Sequence, residues 1–146
     1  MIRAVAPGGT PQTHDGTNVN FTILPAAWAP RLQSLLRIVV GLLLLEHGTG
    51  KLLGFPTLPG LDQMPHGLLL FTGVVELVGG VLIVVGLLTR PAAFVLSGFM
   101  AVAYFMAHFP TSFFPAINQG EPAVLFCFVF LYFAAVGPGP WAIDKA

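Results

Sequence analysis

Four long apolar segments, each bounded by prolines, are the feature that most constrains this chain. They lie at about 33–53, 67–88, 91–109 and 121–137. Because proline is tolerated in the first turn of a helix and stops a helix elsewhere, this pattern is typical of separate helices. A helix needs about 20 apolar residues to cross a membrane. The first two segments reach that length, the third is near the short end and the fourth is shorter. We therefore predict an all-α integral membrane protein, a bundle of four transmembrane helices.

The composition excludes an ordinary soluble domain. Charged residues make up 8 % of the 146 residues, against about a quarter in typical globular proteins. A soluble chain of this size has a large surface to cover with polar groups, and a mean hydropathy of +0.85 shows that this chain lacks them. Lipid is the solvent that fits. A net charge of zero gives no indication of a nucleic-acid partner.

The segment before the first apolar run is polar and rich in turn-forming residues. Residues 1–30 contain no apolar stretch of the kind found in a cleavable signal peptide, so we predict a flexible N-terminal tail. Trp28 and Pro30 end this tail, where an interfacial tryptophan and a helix-starting proline are expected. Residues 31–146 are predicted to form the four-helix domain.

The basic residues predict the orientation of the bundle. Four crossings place both termini and the turn near residue 90 on one side, which holds most of them: Arg3, Arg31, Arg90 and Lys145, with Arg37 just inside the first helix. The opposite side holds Lys51. Since basic residues concentrate in cytoplasmic loops, we predict that both termini are cytoplasmic and that the 54–66 and 110–120 loops lie outside.

Six ionisable side chains within or beside the apolar segments are the candidate functional residues: Arg37, His47, Lys51, Glu76, His108 and Glu121. Such groups cost about 2.5–3.5 kcal/mol each on insertion scales, so they normally face the interior of a bundle and have a partner. At 100° per residue, one stripe of the first helix is its predicted inward face. That stripe consists of Arg37, Gly41, Leu44, Gly48 and Lys51.

Depth brings these side chains into one region. With the predicted orientation, four of them fall in the outer half of the bilayer: His47, Lys51, His108 and Glu121. Glu76 lies near the midplane, at the floor of a predicted polar pocket that opens outward. A quinone or similar lipid-soluble headgroup fits this chemistry, because histidine and lysine donate to carbonyl oxygens and Glu76 exchanges protons. Glu76 and His108 are the candidate catalytic residues. The candidate ligand-binding residues are Arg37, His47, Lys51 and Glu121.

A purely structural interpretation of the same residues stays open. A Lys51–Glu121 or an Arg37–Glu76 ion pair would tie helices together, and His108 would bond to a loop carbonyl. Buried ionic residues in bundles often serve packing specificity in this way.

A metal site is a further alternative, since two histidines and a carboxylate suit iron or zinc. No spacing selects it, and we assign no metal ligands; the residues that would supply one are His47, His108, Glu121 and Glu46. A haem held by the two histidines has less support still. Cys127 is the single cysteine, and we predict that it packs as a small apolar residue.

Several short motifs, in this order, resemble the DoxX family of four-helix bacterial membrane proteins. The resemblance covers about residues 31–144 and leaves the first 30 residues outside it. Its motifs are Arg37-x3-Gly41, His47-Gly48-x2-Lys51-Leu52, Glu76-x2-Gly79-Gly80, Gly86, Thr89-Arg90, Ala92, His108, Gly120-Glu121 and Gly137-Pro138-Gly139-x-Trp141-x-Ile143-Asp144. Pro140 departs from the pattern, because relatives often carry a basic residue there.

The resemblance implies a multi-pass protein of the bacterial plasma (inner) membrane. Members of the family are often labelled oxidoreductases, a label that traces to a small subunit of a quinone-linked thiosulfate-oxidising system. Relatives are also linked to oxidative-stress complexes, and distant animal relatives act as assembly chaperones for membrane receptors. The family name therefore implies no single reaction.

We predict a DoxX-like subunit that supports quinone-linked redox chemistry. The sequence carries no flavin, iron–sulfur or dinucleotide motif, so a partner subunit would have to supply the electrons. The alternative is a non-enzymatic membrane scaffold or chaperone, and either would act with a partner protein or as a homo-oligomer. A small-solute carrier has too few helices here unless the protein dimerises.

Overall fold

The computed structural model describes residues 23–144, and every regular element in this part of the chain is a helix, without strands. Its α-helices are α1 (Ala29–Leu53), α2 (His66–Val85), α3 (Thr89–Ala103), α4 (Pro115–Asn118) and α5 (Glu121–Val136). Two 3-10 turns, Ala26–Trp28 and Leu61–Gln63, precede α1 and α2. The chain continues beyond α3 in one π-helical turn, Tyr104–His108.

Among residues 23–144, three helical stretches are long and apolar enough to cross a membrane. They are Ala26–Leu53, His66–Val85 and Thr89–His108, the last of which combines α3 with the π-turn. The fourth apolar helix, α5, has 16 residues and is shorter than a typical span. The predicted all-helical membrane fold is confirmed at this level.

Helix boundaries differ from the predicted ones by up to four residues. α1 begins at Ala29 rather than at 33, so the last two residues assigned to the tail belong to the helix; the tail up to residue 22 lies outside the described residues. α2 ends at Val85 rather than at 88, because Gly86 adopts a left-handed φ of 68° that terminates it. α3 begins at Thr89, two residues before Pro91.

The helices associate as two antiparallel pairs. α1 packs mainly against α2, and α3 packs mainly against α5. Glycines set the close approach within the first pair: a Cβ on Gly48 would lie 2.6 Å from the backbone nitrogen of Leu77, and one on Gly41 would lie 2.9 Å from that of Val84. Small residues at such positions let helices pack where lipid provides no hydrophobic driving force.

Burial in this bundle is inverted relative to a soluble protein. Arg37 is fully buried and Glu76 is 5 % exposed, whereas Phe94 and Phe128 are 67 % and 65 % exposed. The core between the helices is nonetheless apolar, and it consists of Val40, Leu44, Ile83, Ala93, Leu96, Met100, Phe130 and Phe133. An apolar exterior around a few interior charges is what a hydrocarbon solvent requires.

Two ends of the bundle are distinguished from here on. The terminal end carries the start of α1, the turn between α2 and α3, and the C-terminal segment 137–144. The loop end carries the 54–65 and 109–120 loops. The predicted functional residues distribute between these two ends.

Candidate functional site

The inward face of α1 is confirmed by burial. Arg37, Gly41, Leu44 and Gly48 are buried, and the side chain of Lys51 is 11 % exposed. All five residues therefore point into the bundle, as their spacing predicts.

Lys51 and Glu76 form an ion pair between the end of α1 and the middle of α2. The distance from Lys51 Nζ to Glu76 Oε1 is 2.7 Å, and the Glu76 side chain is 6 % exposed. Gly73, one turn before Glu76, makes room for this contact: a Cβ there would lie 3.1 Å from Lys51 Cβ. Neither of the ion pairs considered from the sequence, Lys51–Glu121 or Arg37–Glu76, forms.

The second oxygen of Glu76 distinguishes this pair from a simple helix clamp. Oε2 is buried and has no hydrogen-bond partner among residues 23–144. A buried polar atom without a partner costs free energy, and a carboxylate oxygen can accept more than one hydrogen bond. The Lys51 ammonium carries three donors, of which the bond to Glu76 uses one. The pair thus combines a buried acceptor without a partner with a cationic donor.

His47 lies on the same helix as Lys51. It precedes Lys51 by one turn of α1, and its Nδ1 donates to the carbonyl of Leu43 at 2.9 Å. Its ring stands edge-on to Phe126 of α5, with 6.4 Å between centroids. His47 is exposed, unlike Lys51 and Glu76. We call Lys51 and Glu76 the Lys51–Glu76 site.

Arg37 lies at the terminal end and has its own partners there. Its Nε donates to the carbonyl of Pro138 at 2.9 Å, and one Nη donates to that of Val84 at 2.7 Å. The guanidinium also donates to the carbonyls of Ile83 and Trp141. It therefore fastens the end of α2 and the C-terminal segment to α1.

His108 is bonded within the loop end. Its Nδ1 donates to the carbonyl of Asn118 at 3.0 Å, as the structural interpretation of this histidine expected. The buried Asn118 side chain in turn donates to the carbonyl of Ser112 and accepts from the N–H of Gly120, both at 2.7 Å. This network shapes the 109–120 loop.

Glu121 is exposed at the first residue of α5. It borders an open hollow of about 320 Å³ with Pro115, Val124 and Leu125. The lining of this hollow includes none of the Lys51–Glu76 site.

The structure thus joins two of the six candidates directly. Lys51 pairs with Glu76, whereas the bonds of Arg37, His47 and His108 go to backbone carbonyls. Within residues 23–144, no group of three or more His, Cys, Asp or Glu side chains is arranged to hold a metal ion.

Comparison with known proteins adds the family to this geometry. The DoxX family model matches residues 32–109, just over half of the chain. This chain belongs to the DoxX family. An uncharacterised protein of Haemophilus influenzae is 43 % identical to it over 123 residues, which cover 81 % of this chain and 92 % of that protein. No solved structure gives a significant match.

The matched region of this DoxX protein contains the Lys51–Glu76 site, Arg37 and His108, and it ends before Glu121. With the apolar helices, family membership makes it a multi-pass membrane protein. The uncharacterised relative adds no reaction or ligand.

Sequence reasoning gave no role to Asp144, which the structure places at the start of α3. Its carboxylate accepts from the N–H of Thr89 at 2.7 Å and from that of Leu88 at 2.9 Å. These bonds, with that from Thr89 the strongest influence, and the nearby Arg37 charge lower the pKa of Asp144 below its ordinary value. A carboxylate at a helix N-terminus is a familiar cap, but 55 residues separate it from the helix it caps.

Arg90 caps the end of α5, as Asp144 caps the start of α3. Its guanidinium donates to the carbonyl of Ala135 at 2.5 Å and to that of Val136 at 3.3 Å. These belong to the last turn, whose carbonyls have no partner within the helix. Arg90, Arg37 and Asp144 together close the terminal end of this DoxX protein.

Proposed function

We propose that this DoxX protein is a bacterial inner-membrane subunit that binds the headgroup of a lipid-soluble quinone at the Lys51–Glu76 site and supports quinone-linked redox chemistry. The observation that carries the proposal is the buried Oε2 of Glu76, which has no partner in the described chain although Oε1 is bound to Lys51. A ligand that donates to Oε2 would remove the cost of leaving that atom without a partner.

Quinones and quinols match the groups of this site. An ammonium donor of Lys51 suits the carbonyl oxygen of a quinone, and Glu76 Oε2 suits the hydroxyl of a quinol. Reducing a quinone consumes two electrons and two protons. Glu76 is the side chain positioned to exchange a proton with the ligand. The electrons would come from a partner subunit, since the sequence has no motif for an electron-carrying cofactor.

The proposal includes four crossings, with α5 as the fourth, and cytoplasmic termini. α5 runs antiparallel to α3, because Arg90 at the start of α3 bonds to Ala135 at the end of α5 and Ser97 further along α3 bonds to Cys127 earlier in α5. The basic residues support the orientation: Arg31 and Arg90 lie at the terminal end, whereas Lys51 lies towards the loop end. Basic residues favour the cytoplasmic side, so the Lys51–Glu76 site would open towards the periplasmic leaflet.

Quinone retention by the purified protein tests the proposal. Protein extracted into lipid nanodiscs should carry quinone, detected by native mass spectrometry, and should bind a short-chain quinone added back. Glu76→Gln should weaken that binding about tenfold or more, because it removes a charged hydrogen-bonding group. Glu46→Gln is the matched control, since Glu46 is an exposed carboxylate on α1. Wild-type protein without quinone, or equal binding by Glu76→Gln and wild type, would refute the proposal.

A non-enzymatic scaffold or assembly chaperone is the second candidate. It is favoured by the hydrogen bonds of Arg37 and His108 to backbone carbonyls, because side chains bonded in this way would stabilise the fold rather than bind a ligand. Under this function Glu76→Gln lowers thermal stability without changing ligand content. Crosslinking in the native membrane would then recover a stoichiometric partner protein.

A further inference from the structure

The 109–120 loop, which joins α3 to α5, is unusual for a segment between helices. It contains no charged residue, and its large apolar side chains face outward. Phe113 is 70 % exposed, Phe114 is 60 % exposed and Ile117 is 68 % exposed. Connecting loops that face water normally expose polar side chains, and a contiguous exposed apolar patch marks a contact with something other than water.

Two polar side chains of the same loop, those of Ser112 and Asn118, are bonded within it, whereas Thr111 and Gln119 are exposed. Asn118 is 6 % exposed and bonds to both Ser112 and Gly120. His108 donates to the Asn118 carbonyl, and the Tyr104 hydroxyl donates to that of Phe113 at 3.0 Å. Irregular backbone is tolerated at membrane depth only where its polar groups have protein partners. The side chains of Tyr104, His108 and Asn118 supply such partners to part of this loop.

The length of α5 gives an independent reason to place the loop within the membrane. Its 16 residues span about 24 Å at 1.5 Å per residue, whereas the hydrocarbon core of a bilayer is about 30 Å thick. α5 therefore falls short by about one helical turn. A loop that sits inside the leaflet at the loop end would supply the missing apolar thickness.

The neighbouring 54–65 loop shows the contrast. It lies at the same end of the bundle but carries the exposed polar residues Asp62 and Gln63. The two loops thus differ in charge, because Asp62 is exposed in one and no charged residue lies in the other, although the 54–65 loop also exposes Phe55 to 79 %.

We propose that the segment from Phe109 to Gly120 is a membrane-embedded cap, which inserts the side chains of Phe113, Phe114 and Ile117 among the lipid acyl chains of one leaflet. The inference stands apart from ligand binding at the Lys51–Glu76 site. It concerns the surface that the loop end presents to the bilayer.

Nitroxide accessibility in lipid bilayers tests the cap. Labels are placed singly at Phe113→Cys and Ile117→Cys, in a chain whose one cysteine is replaced by Cys127→Ala. Two reference positions bracket them: Asp62→Cys in the exposed 54–65 loop, and Val78→Cys, 54 % exposed near the middle of α2. Power saturation with oxygen and with a water-soluble nickel chelate reports whether each label contacts lipid or water.

Labels at 113 and 117 should resemble the label at 78, with oxygen collisions exceeding nickel collisions, whereas the label at 62 should show the reverse. Labels at 113 and 117 that behave like the one at 62 would place the loop in water and overturn the proposal. Exclusion of both reagents would also overturn it, because the patch would then be covered by protein. The second label keeps the test decisive if one substitution disturbs folding.

Discussion

Two buried charged groups on one face of α1, Arg37 and Lys51, illustrate different uses of charge in a membrane. Arg37 at the terminal end is surrounded by backbone carbonyls of α2 and the C-terminal segment. Lys51 towards the loop end meets one side chain, Glu76, whose second oxygen has no partner in the described chain. A charge with fixed partners on all sides holds the fold. A pair with an unused acceptor can take a ligand.

Removing Arg37 should have the largest effect on stability. Arg37→Met leaves four buried or partly buried carbonyls without their charged donor, so we expect a loss of about 3 kcal/mol or more in unfolding free energy. Denaturant titration in mixed micelles measures it. Arg31→Met is the control, since Arg31 is exposed and lies over the ring of Trp28 at 5.7 Å. Equal stability of the two variants would contradict the role of Arg37 in stabilising the terminal end.

Lys51→Met should cost nearly as much, about 3 kcal/mol, because it leaves the Glu76 carboxylate buried without its partner. Adding Glu76→Gln should restore most of that stability, since replacing both charges removes the uncompensated one. The double variant should nonetheless bind no quinone. A double variant that is stable and still binds would show that the pair is dispensable for the ligand.

Gly48→Ala should destabilise by about 1–3 kcal/mol, because the added methyl meets rigid backbone of α2 and forces α1 away. That shift should also lengthen the Lys51–Glu76 contact and weaken quinone binding. Gly98→Ala in α3 is the matched control: nothing lies within 4 Å of its added Cβ, so helix propensity should make it neutral or slightly stabilising. Thermal unfolding of both variants, with quinone binding measured in parallel, shows whether each substitution lowers or raises stability.

Asp144→Asn should have the smallest effect, and that effect should depend on pH. Because the folded-state pKa of Asp144 lies below its ordinary value of 3.8, its stabilising contribution is present above that value. It is lost as the pH falls through the lowered pKa. Unfolding measured against pH should therefore show wild type and Asp144→Asn converging under acidic conditions. Asp62→Asn controls for the loss of one exposed negative charge, and a pH-independent difference between wild type and Asp144→Asn would contradict the cap at α3.

The sequence predicted much of the fold and part of the site. The apolar segments and the stripe from Arg37 to Lys51 follow from local periodicity, so the helices and the inward face of α1 were readable in advance. The partner of Lys51 could not be predicted in this way. Glu76 and Glu121 both lie on apolar helices, and the choice between them depends on which helix packs against α1 and in what register.

The partners of Arg37 could not be predicted from the sequence for a related reason. They are backbone carbonyls, which every residue carries, so no residue type marks them. The role of Asp144 could not be predicted either, since it caps α3 only because the chain returns to that helix 55 residues later. The convergence of His108 and Glu121 on one pocket with Glu76 stays a prediction.

Composition and periodicity by themselves determined that this chain is helical, that lipid is its solvent and which face of its first helix turns inward, because those properties depend on residues a few positions apart. Tertiary structure alone decided that Lys51 meets Glu76, that Arg37 holds the C-terminal segment and that Asn118 of the 109–120 loop is buried. Each of these depends on the register between helices distant in sequence, which is set by glycine contacts such as that of Gly48 with Leu77.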